Sequence, residues 1–255
     1  MDTHSILIAF LLTSIAGLST GIGGLLVLFT KKTNTNFLCA SLGLSAGVMI
    51  YVSFMEMLPE AQKDLVGILG EKKGMLYLLI SFFAGMGIIT LIDFLIPEDN
   101  NPHEMTHSIE DKKNKTVSLK RTSYIMALSI AIHNFPEGIA TFTSALTSLD
   151  IAIPITIAIA IHNIPEGIVV AVPIYHSTGS RSKAFWYSFL SGLAEPIGAL
   201  VAFLFLMQHW SPLINGIVLS AVAGIMIFIS LDELLPTAEK YGKHHVSIAG
   251  VVAGM

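Results

Sequence analysis

Apolar stretches long enough to cross a bilayer recur along almost the whole chain, and no other feature limits its fold so severely. A hydrocarbon core of ~30 Å takes about 20 residues at the helical rise. Such stretches lie at approximately 5–30, 36–58, 75–96, 122–145, 151–173, 184–207 and 213–235, and an eighth begins near 246 and reaches Met255. The composition agrees, with 53% hydrophobic and 13% charged residues, against about a quarter charged in a soluble domain. The sequence therefore predicts an all-α polytopic membrane protein, a single transmembrane domain over 1–255 with eight helices. The eighth stretch is too short to span alone, so the chain is expected to stop inside its last helix.

The start, Met1-Asp2-Thr3-His4, lacks a basic region and the first apolar run is too long for a signal peptide, so it is expected to stay in the membrane. The one cysteine, Cys39, excludes an internal disulfide and a thiolate cluster and reads as a packing residue. With a formal net charge of −4 and no basic block, nucleic acid is not an expected partner. The basic residues instead report orientation. If the N-terminus faces outward, inside loops hold 11 of the 14, Lys31, Lys32, Lys112, Lys113, Lys115, Lys120, Arg121, Arg181, Lys183, Lys240 and Lys243, which is the positive-inside pattern.

The long connection at about 97–120 mixes Asp, Glu, Asn, Lys, Pro and His and reads as a solvated cytoplasmic loop, in which His103 and His107 are more often solvated than metal-binding. Glycines gather inside the spans, among them Gly43, Gly47, Gly85, Gly87, Gly250 and Gly254, where they let helices pack closely.

One nine-residue pattern occurs twice. Ile130-Ala131-Ile132-His133-Asn134-Phe135-Pro136-Glu137-Gly138 lies in the fourth span, and Ile159-Ala160-Ile161-His162-Asn163-Ile164-Pro165-Glu166-Gly167 follows 29 residues later in the fifth. The short loop between them makes the helices antiparallel, so the motifs face one region from opposite directions. Within each motif His and Glu stand one turn apart on nearly the same face, with Asn about 100° around. Each proline removes an N–H and frees a carbonyl, that of Ile132 or Ile161, beside the histidine.

A carboxylate near the bilayer centre costs about 2.5–3.5 kcal/mol even on the gentlest scale, and no intramembrane Lys or Arg is at hand to pair with Glu137 or Glu166. A third acid, Glu195, precedes Pro196 in the sixth span. Three acids, two imidazoles and two amides point to a cation site of mixed nitrogen and oxygen, suited to zinc, iron(II), manganese, cobalt or cadmium. There is no H-E-x-x-H pattern, so hydrolytic zinc chemistry is not expected. Glu56, Asp93, Asp232 and Glu233 lie near span ends; Glu56, just before Pro59, is the best of these and stands where it would guard the outer mouth.

The paired HNFPEG and HNIPEG motifs with Ala194-Glu195-Pro196 resemble the ZIP family of metal transporters, and its bacterial members most. The resemblance covers nearly the whole chain. It implies eight helices with both termini outside, helices one to three related by inverted symmetry to six to eight, and a two-helix metal-binding core. It also implies a binuclear site with His133, Asn134, Glu137, His162, Asn163, Glu166 and Glu195 as ligands. Some relatives carry aspartate where this chain has Asn163, and the neutral amide weakens or broadens the second metal position. The expected cargo is Zn2+, with Fe2+, Cd2+, Mn2+ and Co2+ as further candidates, moved toward the cytoplasm without any cofactor. The expected partners are these divalent ions and the lipid bilayer of the cell membrane, with a homodimer as a candidate assembly.

The 11 to 3 split of basic residues yields a first prediction. In a chain with Cys39 replaced, single cysteines at Thr3 and in the 97–120 loop should react with impermeant thiol reagents from opposite sides of the membrane. Labelling of both from one side would overturn the orientation.

Overall fold

In the computed structural model of the chain, residues 3–29, 35–95, 112–240 and 244–255 are described, and all their regular structure is helical. The helices are α1 (Thr3–Phe29), α2 (Thr35–Leu69), α3 (Glu71–Leu95), α4 (Lys112–Thr147), α5 (Leu149–Thr178), α6 (Arg181–His209), α7 (Pro212–Ile229, continuing to Lys240) and α8 (His244–Gly254). Six of them, all but α4 and α8, are long and apolar enough to cross a membrane. His103, His107 and residues 97–111 of the expected loop lie outside the described residues.

Several helices outrun the expected spans. The expected loop to about 120 is corrected at its end, because α4 starts at Lys112. Between Lys112 and Phe135 the sequence has neither Pro nor Gly, so a helix formed in the membrane propagates outward at little cost per residue. α2 passes through Pro59 and α7 through Pro236 by the same device. A π-turn, Ser53–Met57 or Ser230–Leu234, precedes each proline and absorbs the missing N–H and the ring's bulk. α2 and α5 instead stop at glycines with positive φ, Gly70 (φ 76°) and Gly179 (φ 67°).

The helices form two groups. In one, α1 and α4 both pack on α5 and α6; in the other, α2 lies along α8 and α3 along α7, with the end of α2 between α3 and α7. They meet chiefly where α2 runs along α5. The most apolar window of α5 is 72% buried and that of α3 only 22%, so α5 is enclosed while α3 shows large side chains such as Phe83 and Leu91 to the lipid.

Glycine sets the spacing inside the second group. Gly47 and Gly254 lie against the carbonyls of Val251 and Leu44, and Gly85 and Gly224 against those of Ala221 and Phe82. In each pair the two helices exchange the same contact. Lipid tails give apolar helices no hydrophobic reason to associate, so backbone-to-backbone approach supplies the packing. Gly87 differs, since nothing lies near where its side chain would be.

This contrast predicts that Gly85→Ala destabilises the protein in detergent by about 1–3 kcal/mol, because a methyl group there meets the backbone of Ala221. Gly87→Ala should leave the melting temperature unchanged or raise it. Equal melting of the two variants would show that these contacts do not hold α3 to α7.

Candidate metal centre

The two motifs come together because α4 and α5 cross antiparallel at their middles, with α6 against α4 and α1 against α5. Gly138 and Gly167, the last residues of the motifs, allow this approach: each meets a backbone carbonyl, that of Glu195 on α6 and that of Thr20 on α1. The repeated Pro-Glu-Gly thus has a packing half and a chemical half. Gly brings the neighbouring helix in, and Glu faces the interior.

All seven residues picked out by the motifs are buried, none more than 1% exposed. His162 Nε2 bonds Glu137 Oε1 at 3.2 Å. His133 Nε2 lies 3.3 Å from the same oxygen and 3.4 Å from Glu166 Oε1, an ion-pair approach without hydrogen-bond alignment. Each motif's glutamate therefore meets a histidine of the other. The Asn163 amide donates to Glu195 Oε1 and, at 2.9 Å, to the Ala16 carbonyl on α1. Asn134 donates to the Ser191 carbonyl at 3.3 Å. Glu195 is within electrostatic reach of Glu137 and Glu166.

Both asparagines thus spend their N–H groups on neighbouring helices, and both Oδ1 atoms are left buried without a partner, as are both oxygens of Glu166 and one each of Glu137 and Glu195. Unbonded acceptors buried this deeply are costly unless something positive meets them. No Lys or Arg among the described residues pairs with these acids. As arranged, the side chains turn on one another, and among the described residues no three His, Cys, Asp or Glu groups surround a common point closely enough to hold an ion.

Glu56 takes no part in these contacts; it is half-buried on the π-turn of α2, next to α7. The acids ranked below it in the sequence are better placed. Asp93, Asp232 and Glu233 line one cleft with Ser129 and Ile132, the latter immediately before His133, and Glu233, 7% exposed, is within electrostatic reach of His133. Position near a span end concealed this, since distance from a span's end does not show which neighbouring helix a side chain faces. The α1 carbonyl of Ala16 had no signal in the sequence at all, because a backbone acceptor leaves no residue pattern.

The fold defines a polytopic membrane protein, and its interior gathers three carboxylates and two imidazoles. The model of the ZIP zinc transporter family matches residues 96–255. The chain is 57% identical to the zinc transporter ZupT of Clostridium perfringens, with 100% of this chain and 94% of the relative covered. It is also 57% identical to ZupT of Streptococcus mutans (97% and 93% covered) and 52% to ZupT of Akkermansia muciniphila (100% and 96%). The chain belongs to the ZIP zinc transporter family and is a multi-pass transporter of divalent metal in the cell membrane, not an enzyme.

The unequal partnering of the two central acids generates a prediction for the metal-free protein. Glu137 is held by two histidines, so Glu137→Gln should lower the melting temperature. Glu166 has only the 3.4 Å approach of His133, so Glu166→Gln should leave it unchanged or raise it, since a poorly paired buried charge is removed. The reverse order would contradict this partnering.

Proposed function

We propose that the chain carries zinc from outside the cell into the cytoplasm by alternating access, through a binuclear site made of His133, Asn134, Glu137, His162, Asn163, Glu166 and Glu195. The observation that carries this reading is the meeting of three buried carboxylates and two imidazoles with no lysine or arginine among the described residues to neutralise them. A divalent cation supplies the missing charge, and the relatives compared above are zinc transporters by name. Nitrogen and oxygen donors together also suit Fe2+, Cd2+, Mn2+ and Co2+.

The histidines with Glu137 and Glu166 form one metal position, and Asn163, Asn134 and Glu195 the other, with Glu137 and Glu166 close enough to serve both. The second position has two neutral amides and is the weaker and less selective. From the first, the cleft of Ser129, Asp93, Asp232 and Glu233 leads toward the cytoplasm under the orientation given by the basic residues. Acids along it lower the barrier to release without closing a cage around the ion. Glu56 serves as an outer guard on α2. The group of α1, α4, α5 and α6 shifts against α2, α3, α7 and α8, which exposes the site to each side in turn. A homodimer would add contacts outside this path and is not required by it.

Glu137→Ala or Glu166→Ala should nearly abolish uptake of zinc and cadmium into proteoliposomes, whereas His133→Ala or His162→Ala should weaken it and change the preference between the two metals. Each carboxylate offsets the dehydration of a dication, while an imidazole can be replaced in part by water. Wild-type rates in both glutamate variants, together with an undiminished rise in melting temperature on adding zinc, would remove these carboxylates from the site.

A further inference from the structure

The contacts that α1 makes with the motif helices recur, one by one, in the contacts of α6. Asn163 donates to the Ala16 carbonyl, as Asn134 does to that of Ser191. Gly167 receives the Thr20 carbonyl, as Gly138 receives that of Glu195. Gly23 lies on the Ile164 carbonyl, as Gly198 lies on that of Phe135. In all three, the α4 and α5 residues differ by 29 positions and the α1 and α6 residues by 175. Gly17 and Gly192, also 175 apart, lie against each other's carbonyls, so the two helices cross at the centre of this correspondence.

Under the correspondence the α1 residue that answers to Glu195 is Thr20. Its side chain is fully buried and its Oγ1 has no hydrogen-bond partner. A threonine inside a helix ordinarily bonds the carbonyl four residues back, as Thr13 and Thr141 do here. For Thr20 that carbonyl belongs to Ala16, and it is already taken by Asn163 at 2.9 Å and by the Ser19 hydroxyl at 2.6 Å. A Cβ on Gly192 would stand 2.8 Å from Thr20 Cβ and 3.0 Å from its Oγ1, and one on Gly17 would stand 3.1 Å from Glu195 Cβ. Both side chains leave the crossing in corresponding directions. Glu195 reaches Asn163; the correspondence pairs Thr20 in the same way with the counterpart of Asn163, which is Asn134, whose Oδ1 is equally buried and unbonded.

Resting on the reading of the motif cluster as the metal site, we propose that Thr20 is a further binding residue of the transport path. Its hydroxyl and Asn134 Oδ1 form a neutral oxygen half-site for a divalent cation that keeps part of its water, opposite the charged half-site of Glu195 and Asn163. A hydroxyl and an amide oxygen cannot offset the full dehydration of a dication, so this half-site takes the ion with water attached, as oxygen donors do for hard cations. The two sides of the crossing then differ by one charge.

The test is zinc uptake into proteoliposomes by Thr20→Val, Thr20→Ser, Glu195→Thr and the exchanged pair Thr20→Glu with Glu195→Thr, with Glu166→Ala as control. Thr20→Val, which removes the hydroxyl at nearly constant volume, should raise KM for zinc about fivefold, the worth of one modest polar interaction, while Thr20→Ser stays near wild type. The exchanged pair should transport measurably better than Glu195→Thr alone, because it restores the carboxylate across the crossing. A Thr20→Val KM within about twofold of wild type beside an inactive Glu166→Ala would overturn the role of Thr20 and leave the site reading intact. Wild-type uptake by Glu166→Ala would bring down both. Should Thr20→Val fail to fold, the exchanged pair decides, and no gain over Glu195→Thr counts against the proposal.

Discussion

Three carboxylates buried among the helices, with no lysine or arginine partner among the described residues, set the terms for the rest of this molecule. Left in lipid, Glu137, Glu166 and Glu195 would together cost about 7.5–10.5 kcal/mol on the gentlest scale, a sum comparable to the whole stability of many domains. The fold meets that cost with polar groups brought very close. Histidines of the opposing motif reach Glu137 and Glu166 at 3.2–3.4 Å, and the Asn163 amide reaches Glu195. Such short-range partners work only if the helix backbones nearly touch, which is why each motif ends in a glycine pressed on a carbonyl of α6 or α1. Packing and electrostatics are therefore one requirement here, and the enclosure of α5 follows from it.

The same dependence explains what could be read in the sequence. Periodicity and hydropathy record which residues avoid water, so the helices and their approximate spans were legible. The doubled His-Asn-x-Pro-Glu-Gly pattern was legible too, because buried charge is rare enough to stand out without knowledge of its neighbours. Contacts between helices were not. In a span that is apolar on every side, hydropathy carries no phase to say which face meets which partner, and the Ala16 and Ser191 carbonyls that position the two asparagines are invisible as residue types. Helix ends were misjudged for a related reason: the sequence marks where lipid stops, whereas α4 continues to Lys112 because nothing breaks it.

Glycine contacts also show how the chain reuses one arrangement in opposite senses. α1 and α6 approach the motif helices through matching residues, and α2 with α8 and α7 with α3 each exchange a reciprocal pair of glycine-to-carbonyl contacts. The π-turns of α2 and α7 fall in matching segments, Ser53-Phe54-Met55-Glu56-Met57-Leu58-Pro59 and Ser230-Leu231-Asp232-Glu233-Leu234-Leu235-Pro236. Here Glu56 answers to Glu233, yet the two differ in environment, one half-buried and the other nearly enclosed beside the cleft that adjoins His133. Under the proposed alternating-access cycle, equivalent sequence in unequal surroundings is what a repeat produces when its two halves are caught at different points of one movement.

In the proposed metal site the donors already bond one another, which moderates the strength of metal binding. An ion that takes Glu137 must draw it away from His162, and one that takes Glu195 must compete with the Asn163 amide. Each bond broken in this way subtracts from the affinity that the bare donor set would give, since the protein exchanges its own contacts for those of the metal rather than gaining them outright. A closed cage of preformed ligands binds far more tightly and releases slowly, as structural zinc sites do. For transport the moderated affinity is the useful one, because an ion that enters must also leave. In the proposed site, the internal hydrogen bonds that let the acids survive in the membrane therefore also limit how firmly the cargo is held, and both follow from the lack of a lysine or arginine partner among the described residues.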